Sequence, residues 1–490
     1  MTVTALLLLA ALPIHDGQEG RREADPLPDR PEAEITAREL HHHVAFLASD
    51  ELRGRSAGSR EANRAAAYLA RALEAAGVEP AGDGGTYLQR VPMVRVEHRQ
   101  PPRLEIVFTD GSTTAAINGI DVTVSTRGVP GTTELLPVRV VRSAEELPAE
   151  PNPGEALYLA GSRRERSEWL QGLDGYEDAW GLLLSTGPGS PGRETSLPRA
   201  RVQAREEPDP CDSTRLRGEY SDALEKGRIG SVRLVYDATV EPVDDYNVVG
   251  RLRGAGTAEQ PDLAREAIVF SAHYDHIGTR EATQEGDDVV FNGADDDASG
   301  TAAVLELAQA LAADRPPART LLFLLAAGEE IGLVGTRYYL EHPAVPLADT
   351  VCNLNFEMIG RPDEVAGGTG KLWLTGFERS TLGPRFQEAG LALIQDPRPE
   401  QRFFQRSDNY AFALRGIVAQ TLSSYNMHED YHQVTDEVDT LDFEHMQAAL
   451  RDAYRAARFL VDGSLRPEWL PGGRPADSRR AAGAKTQDQR

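Results

Sequence analysis

The chain has few cysteines, a shortage of basic residues and no apolar run long enough to span a membrane. Its 490 residues include only Cys211 and Cys352, so a framework of disulfides is excluded. Against 77 acidic residues there are 52 lysines and arginines, which gives a formal net charge of −25. Because nucleic acids and anionic membrane surfaces bind basic patches, this charge argues against both as partners.

The apolar run near the start of the chain, Ala5–Leu12, is too short to cross a bilayer. Its length suits the apolar core of a signal peptide, although no lysine or arginine precedes it. We therefore predict an exported protein, secreted or periplasmic, without stable membrane insertion.

Composition divides the chain into five segments. Residues 1–34 are predicted to be a signal segment and linker, and residues 466–490 a flexible tail. Residues 35–102 and 244–465 have the alternating helix and strand patterns of one α/β domain. Between them, residues 103–243 contain short strand-like runs separated by turn residues, which predict an inserted β-rich domain without chemistry of its own.

The strongest secondary-structure signals lie in the α/β domain. Apolar residues at helical spacing predict helices over residues 37–47, 60–76, 298–313 and 443–460. Short apolar runs predict buried strands over residues 267–272, 320–327 and 350–356. Since crossover connections make such strands parallel, we expect a mostly parallel central sheet flanked by helices, with its carboxyl ends at one edge.

Side chains of the kinds that bind metals follow each of these strands. They are His273 and Asp275, then Glu329 and Glu330, then Glu357. The turn-rich segment 292–300 adds three consecutive aspartates, and the segment 426–436 adds His428 and His432. Because the strand ends meet at one edge, these groups should converge. Imidazole and carboxylate ligands without thiolates suit zinc or a similar divalent ion.

The candidate ligands are numerous enough for a pair of metal ions. One carboxylate must then bridge the ions, and each ion takes one histidine and one further carboxylate. Asp295 is the favoured bridge because it lies midway among the candidates and ahead of a helix N-terminus, which favours anions. Glu329 and Glu330 should point to opposite sides, so one can bind metal while the other acts as a general base.

Each of these features also has an ordinary structural explanation. A histidine after a strand is usually a satisfied core residue, and a pair of glutamates is usually solvated surface. The three aspartates could serve helix capping alone. The consecutive residues His41, His42 and His43 point in different directions on a helix and form no chelating set. The joint placement of the other groups at one sheet edge favours a metal site.

Four motifs resemble the M28 zinc peptidases, a family that includes aminopeptidases, glutamate carboxypeptidases and glutaminyl cyclases. They are His-Tyr-Asp-His-Ile-Gly at 273–278, Asn-Gly-Ala-Asp-Asp-Asp-Ala-Ser-Gly at 292–300, Gly-Glu-Glu-Ile-Gly at 328–332 and Tyr-His-Gln-Val-Thr-Asp at 431–436. The segment Phe46–Arg55 resembles the opening of the larger secreted members. The insert at 103–243 is similar to their protease-associated domain.

The resemblance implies a zinc-dependent exopeptidase with two Zn²⁺ per chain and peptides as substrates. One ion would be held by His273, Asp295 and Glu357, and the other by Asp295, Glu330 and His432. Asp275 would orient the imidazole of His273, and Glu329 would be the catalytic base. By the same resemblance, His428 would shape the rim of the pocket and His276 would be structural.

Two positions depart from the family pattern. Glu357 stands where most relatives have aspartate, and Asn409 where many have histidine. The leading functional prediction is an aminopeptidase that hydrolyses N-terminal residues. A carboxypeptidase or dipeptidase, a glutaminyl cyclase, and a non-catalytic binding protein on the same scaffold remain as alternatives.

Overall fold

The computed structural model describes residues 34–118, 121–125, 131–162, 165–166, 169–170, 180–186, 201–204, 212–463 and 465–475. The predicted signal core at 5–12, Cys211 and most of the predicted tail lie outside these residues. Among the described helices, none combines the length and the apolar character needed to cross a bilayer.

The described residues form two β-sheets and a set of helices. The strands are β1 (Glu79–Pro80), β2 (Leu88–His98), β3 (Arg103–Phe108), β4 (Thr113–Ile117), β5 (Val122–Ser125), β6 (Gly131–Thr132), β7 (Leu136–Val141), β8 (Ala156–Leu159), β9 (Leu182–Thr186), β10 (Arg201–Ala204), β11 (Asp212–Leu216), β12 (Ile229–Tyr236), β13 (Ala238–Leu252), β14 (Ala267–His273), β15 (Thr320–Ala326), β16 (Thr350–Phe356), β17 (Leu372–Leu374), β18 (Leu393–Gln395) and β19 (Val418–Ser423). The α-helices are α1 (Ala37–Leu47), α2 (Arg60–Ala75), α3 (Gly218–Glu225), α4 (Gly300–Ala313), α5 (Val334–Glu341), α6 (Leu382–Glu388), α7 (Asn409–Leu414) and α8 (Phe443–Asp462).

The larger sheet has ten strands in the order β10-β2-β13-β15-β14-β16-β19-β17-β18, with β1 paired to β13. Its four central strands, β15, β14, β16 and β19, are parallel. The predicted parallel arrangement holds for these strands. The flanks are largely antiparallel, so the sheet as a whole is mixed.

Helices cover both faces of the central strands, as predicted. Alternate residues of β14 point to opposite faces: Ile268 and Phe270 belong to one apolar cluster and Val269 to the other. Helices α1, α2, α4 and α8 pack on the first face, and α5 and α7 on the second. Because β14 and β15 are buried on both sides, their sequences are apolar runs without alternation.

Side-chain caps fix the starts of the predicted helices. The hydroxyl of Thr36 accepts a hydrogen bond from the backbone of Glu39 at the start of α1, and Ser59 accepts one from Ala62 at the start of α2. Asp442 does the same for α8. These residue types accept the free backbone N–H groups of a first turn.

The smaller sheet has nine strands, all between residues 103 and 236, in the order β4-β3-β12-β7-β8-β9-β11-β5 with β6 paired to β12. It has an apolar core of its own that includes Leu104, Ile106 and Val232. Within its described part, no three side chains form a group that could hold a metal ion. This sheet occupies the region predicted to be a β-rich insert.

One long strand differs from the sequence prediction. β13 runs through Pro242 and crosses the predicted domain boundary at residue 243. Pairing with β2 keeps the segment extended from Ala238 to Val248. β15 pairs with β13 only from Val248 to Leu252. Pro242 therefore has no β15 partner that would need its missing N–H, so a proline is tolerated there.

Candidate metal centre

Residues at the carboxyl ends of the parallel strands meet in one buried cluster. His273 ends β14 and is fully buried. Its Nε2 lies 3.4 Å from Oδ1 of Asp296 and 3.4 Å from Oε1 of Glu357, which follows β16. The hydroxyl of Ser407 donates to the second oxygen of Glu357. One imidazole and two carboxylates thus face a common point.

A second group of ligands lies on the other side of Asp296. Nε2 of His432 lies 3.1 Å from Oδ2 of Asp296 and 3.3 Å from Oε2 of Glu330. Nδ1 of His276 is 2.9 Å from Oε1 of Glu330, although the two atoms lack hydrogen-bond geometry. The structure therefore brings His276, which was expected to be structural, against the same carboxylate.

Asp296, and not Asp295, lies between the two imidazoles. The carboxylate of Asp295 instead accepts hydrogen bonds from the backbone of Gly360 at 2.7 Å and from the hydroxyl of Ser299 at 3.2 Å, and it lies 3.0 Å from Nε2 of His428. The prediction of Asp295 as the bridge is therefore wrong. His428 contacts Asp295, and its side chain is only 8% exposed, rather than lining a rim.

The local backbone separates the three aspartates. The turn Ala294–Ser299 has non-helical torsions at Asp296 and Asp297, and the peptide bond between them is cis. Asp436 holds the turn by accepting hydrogen bonds from the backbone N–H groups of Asp295 and Asp296. Neighbouring side chains in this turn consequently reach different partners.

Asp297 lies close to the first group of ligands. Ligand atoms of His273, Asp297 and Glu357 lie within 4.8 Å of one another, as do those of His276, Asp296 and Glu330. One oxygen of Asp297, however, accepts from the backbone of Gly300 at the start of α4 and from Met358. We favour Asp296 as the shared ligand because each of its oxygens faces one imidazole.

Asp275 connects the first histidine to the pair of glutamates. Its two carboxylate oxygens accept from the backbone N–H groups of Glu329 at 3.0 Å and Glu330 at 3.4 Å. Nδ1 of His273 lies 3.2 Å from the backbone oxygen of Asp275 and 3.7 Å from its carboxylate. Asp275, which was predicted to orient His273, therefore contacts both His273 and the backbone of the two glutamates.

The buried charges shift the pKa values of the centre. Burial opposes ionisation of Asp296, but hydrogen bonds from His273 and His432 outweigh it and hold the pKa of Asp296 well below its usual value. Burial also lowers the pKa of His432, yet Asp296 and Glu330 raise it to about 10. Burial raises the pKa of Glu329 well above its usual value, and the nearby Glu357 adds to this effect.

The donor set fits divalent cations of the zinc type. Imidazole nitrogens and carboxylate oxygens are the mixed ligands that such ions take in catalytic sites. The buried oxygen Oε1 of Glu330 and both ring nitrogens of His276 have no hydrogen-bond partner, so they are free to face an ion. Buried charged groups are normally paired or bound to metal.

A small cavity of about 40 Å³ adjoins the centre at Glu357. Aromatic rings form much of its wall, with centroids 5.2 Å apart for Trp373 and Phe403 and 5.5 Å apart for Tyr425 and Tyr431. The guanidinium of Arg406 lies over the rings of Phe403 and Tyr431. No periodic pattern of residues predicts this pocket, because its residues come from separate loops and strands.

Part of this chain matches a known peptidase family and several curated proteins. Residues 247–456 match the model of peptidase family M28. A "Probable zinc metalloprotease" of Pyricularia oryzae is 37% identical over 131 residues, and a "Vacuolar membrane protease" of Clavispora lusitaniae is 26% identical over 224 residues. These matches cover 26% and 44% of this chain but only 22% and 20% of the relatives, so the chain spans about a fifth of the length of the curated relatives it matches.

The fold is shared with a solved enzyme structure. An aminopeptidase from Aneurinibacillus sp. strain AM-1 superposes with a TM-score of 0.55 at 16% identity, covering 88% of this chain and 96% of that chain. At this identity the similarity establishes the fold alone. The match to the peptidase family M28 model covers less than half of this chain, and it includes the ligand-bearing strands and loops described above.

Proposed function

We propose that this protein is a zinc-dependent exopeptidase of the aminopeptidase type, which binds two Zn²⁺ and removes the N-terminal residue from peptides. The observation that carries the proposal is the position of Asp296, whose two carboxylate oxygens face the imidazoles of His273 and His432. In two-metal hydrolases, ions about 3.5–4 Å apart share such a ligand.

The ligands divide into two sets around that shared carboxylate. His273 and Glu357 would hold one ion, and Glu330 and His432 the other, with Asp296 common to both. When bound, such ions polarise the scissile carbonyl and lower the pKa of the attacking water.

Glu329 is the proposed general base. Its backbone N–H donates to Asp275, which fixes the turn that also presents Glu330. Burial raises the pKa of the Glu329 carboxyl group well above its usual value, which makes the carboxylate a stronger base. Glu329 then accepts a proton from the attacking water and returns it to the departing amine.

Two observations support the aminopeptidase type. The fold is shared with an aminopeptidase, and a cavity beside Glu357 is available to the side chain of the substrate's N-terminal residue. Carboxypeptidase or dipeptidase activity, glutaminyl cyclisation, and ligand binding without catalysis are the competing functions. They differ in the substrate terminus that must be free, so substrate panels separate them.

The test uses the full chain with aminoacyl, N-blocked and cyclisable glutaminyl peptides. We expect hydrolysis only of peptides with a free N-terminus, loss of activity with a chelator and recovery with Zn²⁺. Glu329→Gln should retain zinc and lose about 10²- to 10⁴-fold in kcat. The exposed Glu341→Gln, on α5, is the matched control.

Each other outcome points to a competing function. Cleavage of N-blocked peptides from their C-terminus would replace the aminopeptidase with a carboxypeptidase. A fully active Glu329→Gln would remove the proposed base. Zinc-loaded protein that turns over none of the peptides would indicate a binding protein.

A further inference from the structure

The segment Phe46–Arg55 precedes the family match at 247–456, yet its last residue contacts the loops that carry the candidate ligands. Arg55 is fully buried and has a positive φ of 48°. Burial lowers the pKa of its guanidinium to about 10, so it stays charged at neutral pH. Its placement in the protein interior therefore calls for specific partners.

Those partners are backbone carbonyls of the loops that carry the ligands. Nε of Arg55 donates to the carbonyl of Tyr274 at 2.7 Å, directly after His273. Nη1 donates to the carbonyl of Asn292 at 2.5 Å, and Nη2 to that of Gly293 at 3.0 Å. A further bond from Nη1 to the carbonyl of Leu47, also 2.5 Å, anchors the guanidinium to the end of α1.

The turn before Arg55 fits tightly between the same two loops. Gly54 has φ +71°, and a Cβ added there would lie 2.4 Å from the carbonyl oxygen of Gly278 and 2.5 Å from that of Phe291. The carbonyl of Arg55 also accepts from the backbone of His276 at 3.4 Å. Gly54 and the carbonyl of Arg55 therefore contact the same loops as the guanidinium.

We infer that Arg55 is a positioning residue of the metal centre, which sets the separation of His273 and Asp296 by binding the carbonyls of both ligand loops at once. A guanidinium spreads its donors over three nitrogens in a rigid planar fork, whereas the donors of a lysine ammonium all lie on one nitrogen, which cannot occupy the positions of Nε, Nη1 and Nη2 at once. The inference rests on the proposed metal centre and does not depend on the substrate.

The test measures the Zn²⁺ affinity of full-length apoprotein by competition with a chromogenic chelator, together with the midpoint of thermal unfolding. We expect Arg55→Lys to weaken zinc binding by about 10- to 100-fold, the loss typical of residues that orient metal ligands. A fall in kcat with little change in KM should accompany it.

Arg319→Lys is the matched control. Arg319 is equally buried and donates to the carbonyls of Leu460 and Gly463, but it precedes β15 at the end of the strand away from the centre. This variant should lower the unfolding midpoint without changing zinc affinity. Equal zinc affinity in wild type and Arg55→Lys, or equal losses in both variants, would overturn the inference.

A second variant covers the case in which Arg55→Lys does not fold. The side chain of Asn292 donates to the carbonyl of Ala48 at 2.7 Å and to Asp50 at 2.8 Å, so it ties the same loop to the same N-terminal segment. Asn292→Ala should also weaken zinc binding, and unchanged affinity would count against the inference. A wild-type chain that binds no zinc would instead refute the proposed function.

Discussion

Three consecutive aspartates in one short turn have three different sets of partners. Asp295 accepts hydrogen bonds from Gly360 and Ser299, Asp296 faces two imidazoles, and Asp297 accepts from the start of α4. The helix N-terminus favours an anion at all three positions, so proximity to α4 could not identify the shared ligand. The direction of each side chain depends on the torsions of the turn, which Asp436 helps to fix.

At the residue scale, Asp296→Asn and Asp295→Asn should behave differently. An amide at 296 removes one of the two anionic oxygens between the imidazoles, so we expect at most one zinc per chain and little activity. An amide at 295 can still accept from Gly360, so both zinc ions should remain while the unfolding midpoint falls. Zinc per chain, measured by elemental analysis of the folded variants, checks this. Equal zinc loss in both would contradict the assignment of Asp296.

At the element scale, α1 contributes a buried histidine that makes the fold sensitive to acid. His43 packs with its Nδ1 2.7 Å from the hydroxyl of Tyr68 on α2. Burial lowers the pKa of His43 from 6.5 to about 4. As the pH falls from 6.5 towards 4, His43 takes up a proton in the unfolded chain but not in the folded chain, so the free energy of unfolding decreases.

We expect this titration to cost about 3 kcal/mol of unfolding free energy between those pH values, at about 1.4 kcal/mol per pH unit. His43→Gln should flatten the pH dependence of the unfolding free energy in that interval, and the exposed His41→Gln should not. Denaturant unfolding at pH 7 and pH 4.5 measures the difference. The same pH dependence in both variants would show that His43 is not the titrating group.

The cavity between β17, β19 and the loop around Arg406 predicts a preference among N-terminal residues. Its volume of about 40 Å³ is far below the roughly 150 Å³ of a cavity that holds benzene. We therefore expect peptides with N-terminal alanine to be cleaved with a higher kcat/KM than those with phenylalanine. The charge of Arg406 should likewise disfavour N-terminal lysine.

Two variants test this preference with aminoacyl substrates. Phe403→Leu should raise the kcat/KM ratio of phenylalanine over alanine by about 10-fold, the scale of small volume changes in a pocket. Arg406→Gln should improve lysine substrates, whereas Arg402→Gln, an exposed residue that does not line the cavity, should not. A wild-type preference for phenylalanine would place the substrate side chain elsewhere.

At the scale of the whole molecule, the two sheets differ in what they contribute to the centre. Residues 35–98 supply Arg55, two helices of the main core and β2, so the matched segment 247–456 is not self-sufficient. The smaller sheet, by contrast, is joined to the larger sheet through the neighbouring strands β2 and β13. His98 pairs with Ala238, and the backbone of Arg99 donates to the carbonyl of Asp237.

This connection allows a direct test with two shortened chains. Replacing residues 100–236 with an Asn-Gly turn should give a folded chain that binds two zinc ions, since a two-residue loop can join antiparallel strands. A chain that begins at residue 238 should not fold, because it exposes the apolar surface that α1, α2 and β2 cover. Circular dichroism and zinc content distinguish the outcomes, and loss of zinc from the first chain would show that the deleted segment, which also carries β10 of the larger sheet, supports the centre.

The central strands, the main helices and most of the side chains that meet in the candidate metal centre could be predicted from the sequence alone. Apolar runs and helical periodicity are local signals, and they predicted α1 over 37–47 and β16 over 350–356 with the observed bounds. Parallel connections then required the strand ends to meet. Three features could be seen in the folded chain alone: Asp296 rather than Asp295 faces both imidazoles, β13 passes through Pro242, and Arg55 joins the ligand loops. These features depend on side-chain direction and on pairing between distant segments, which neither composition nor spacing along the chain specifies.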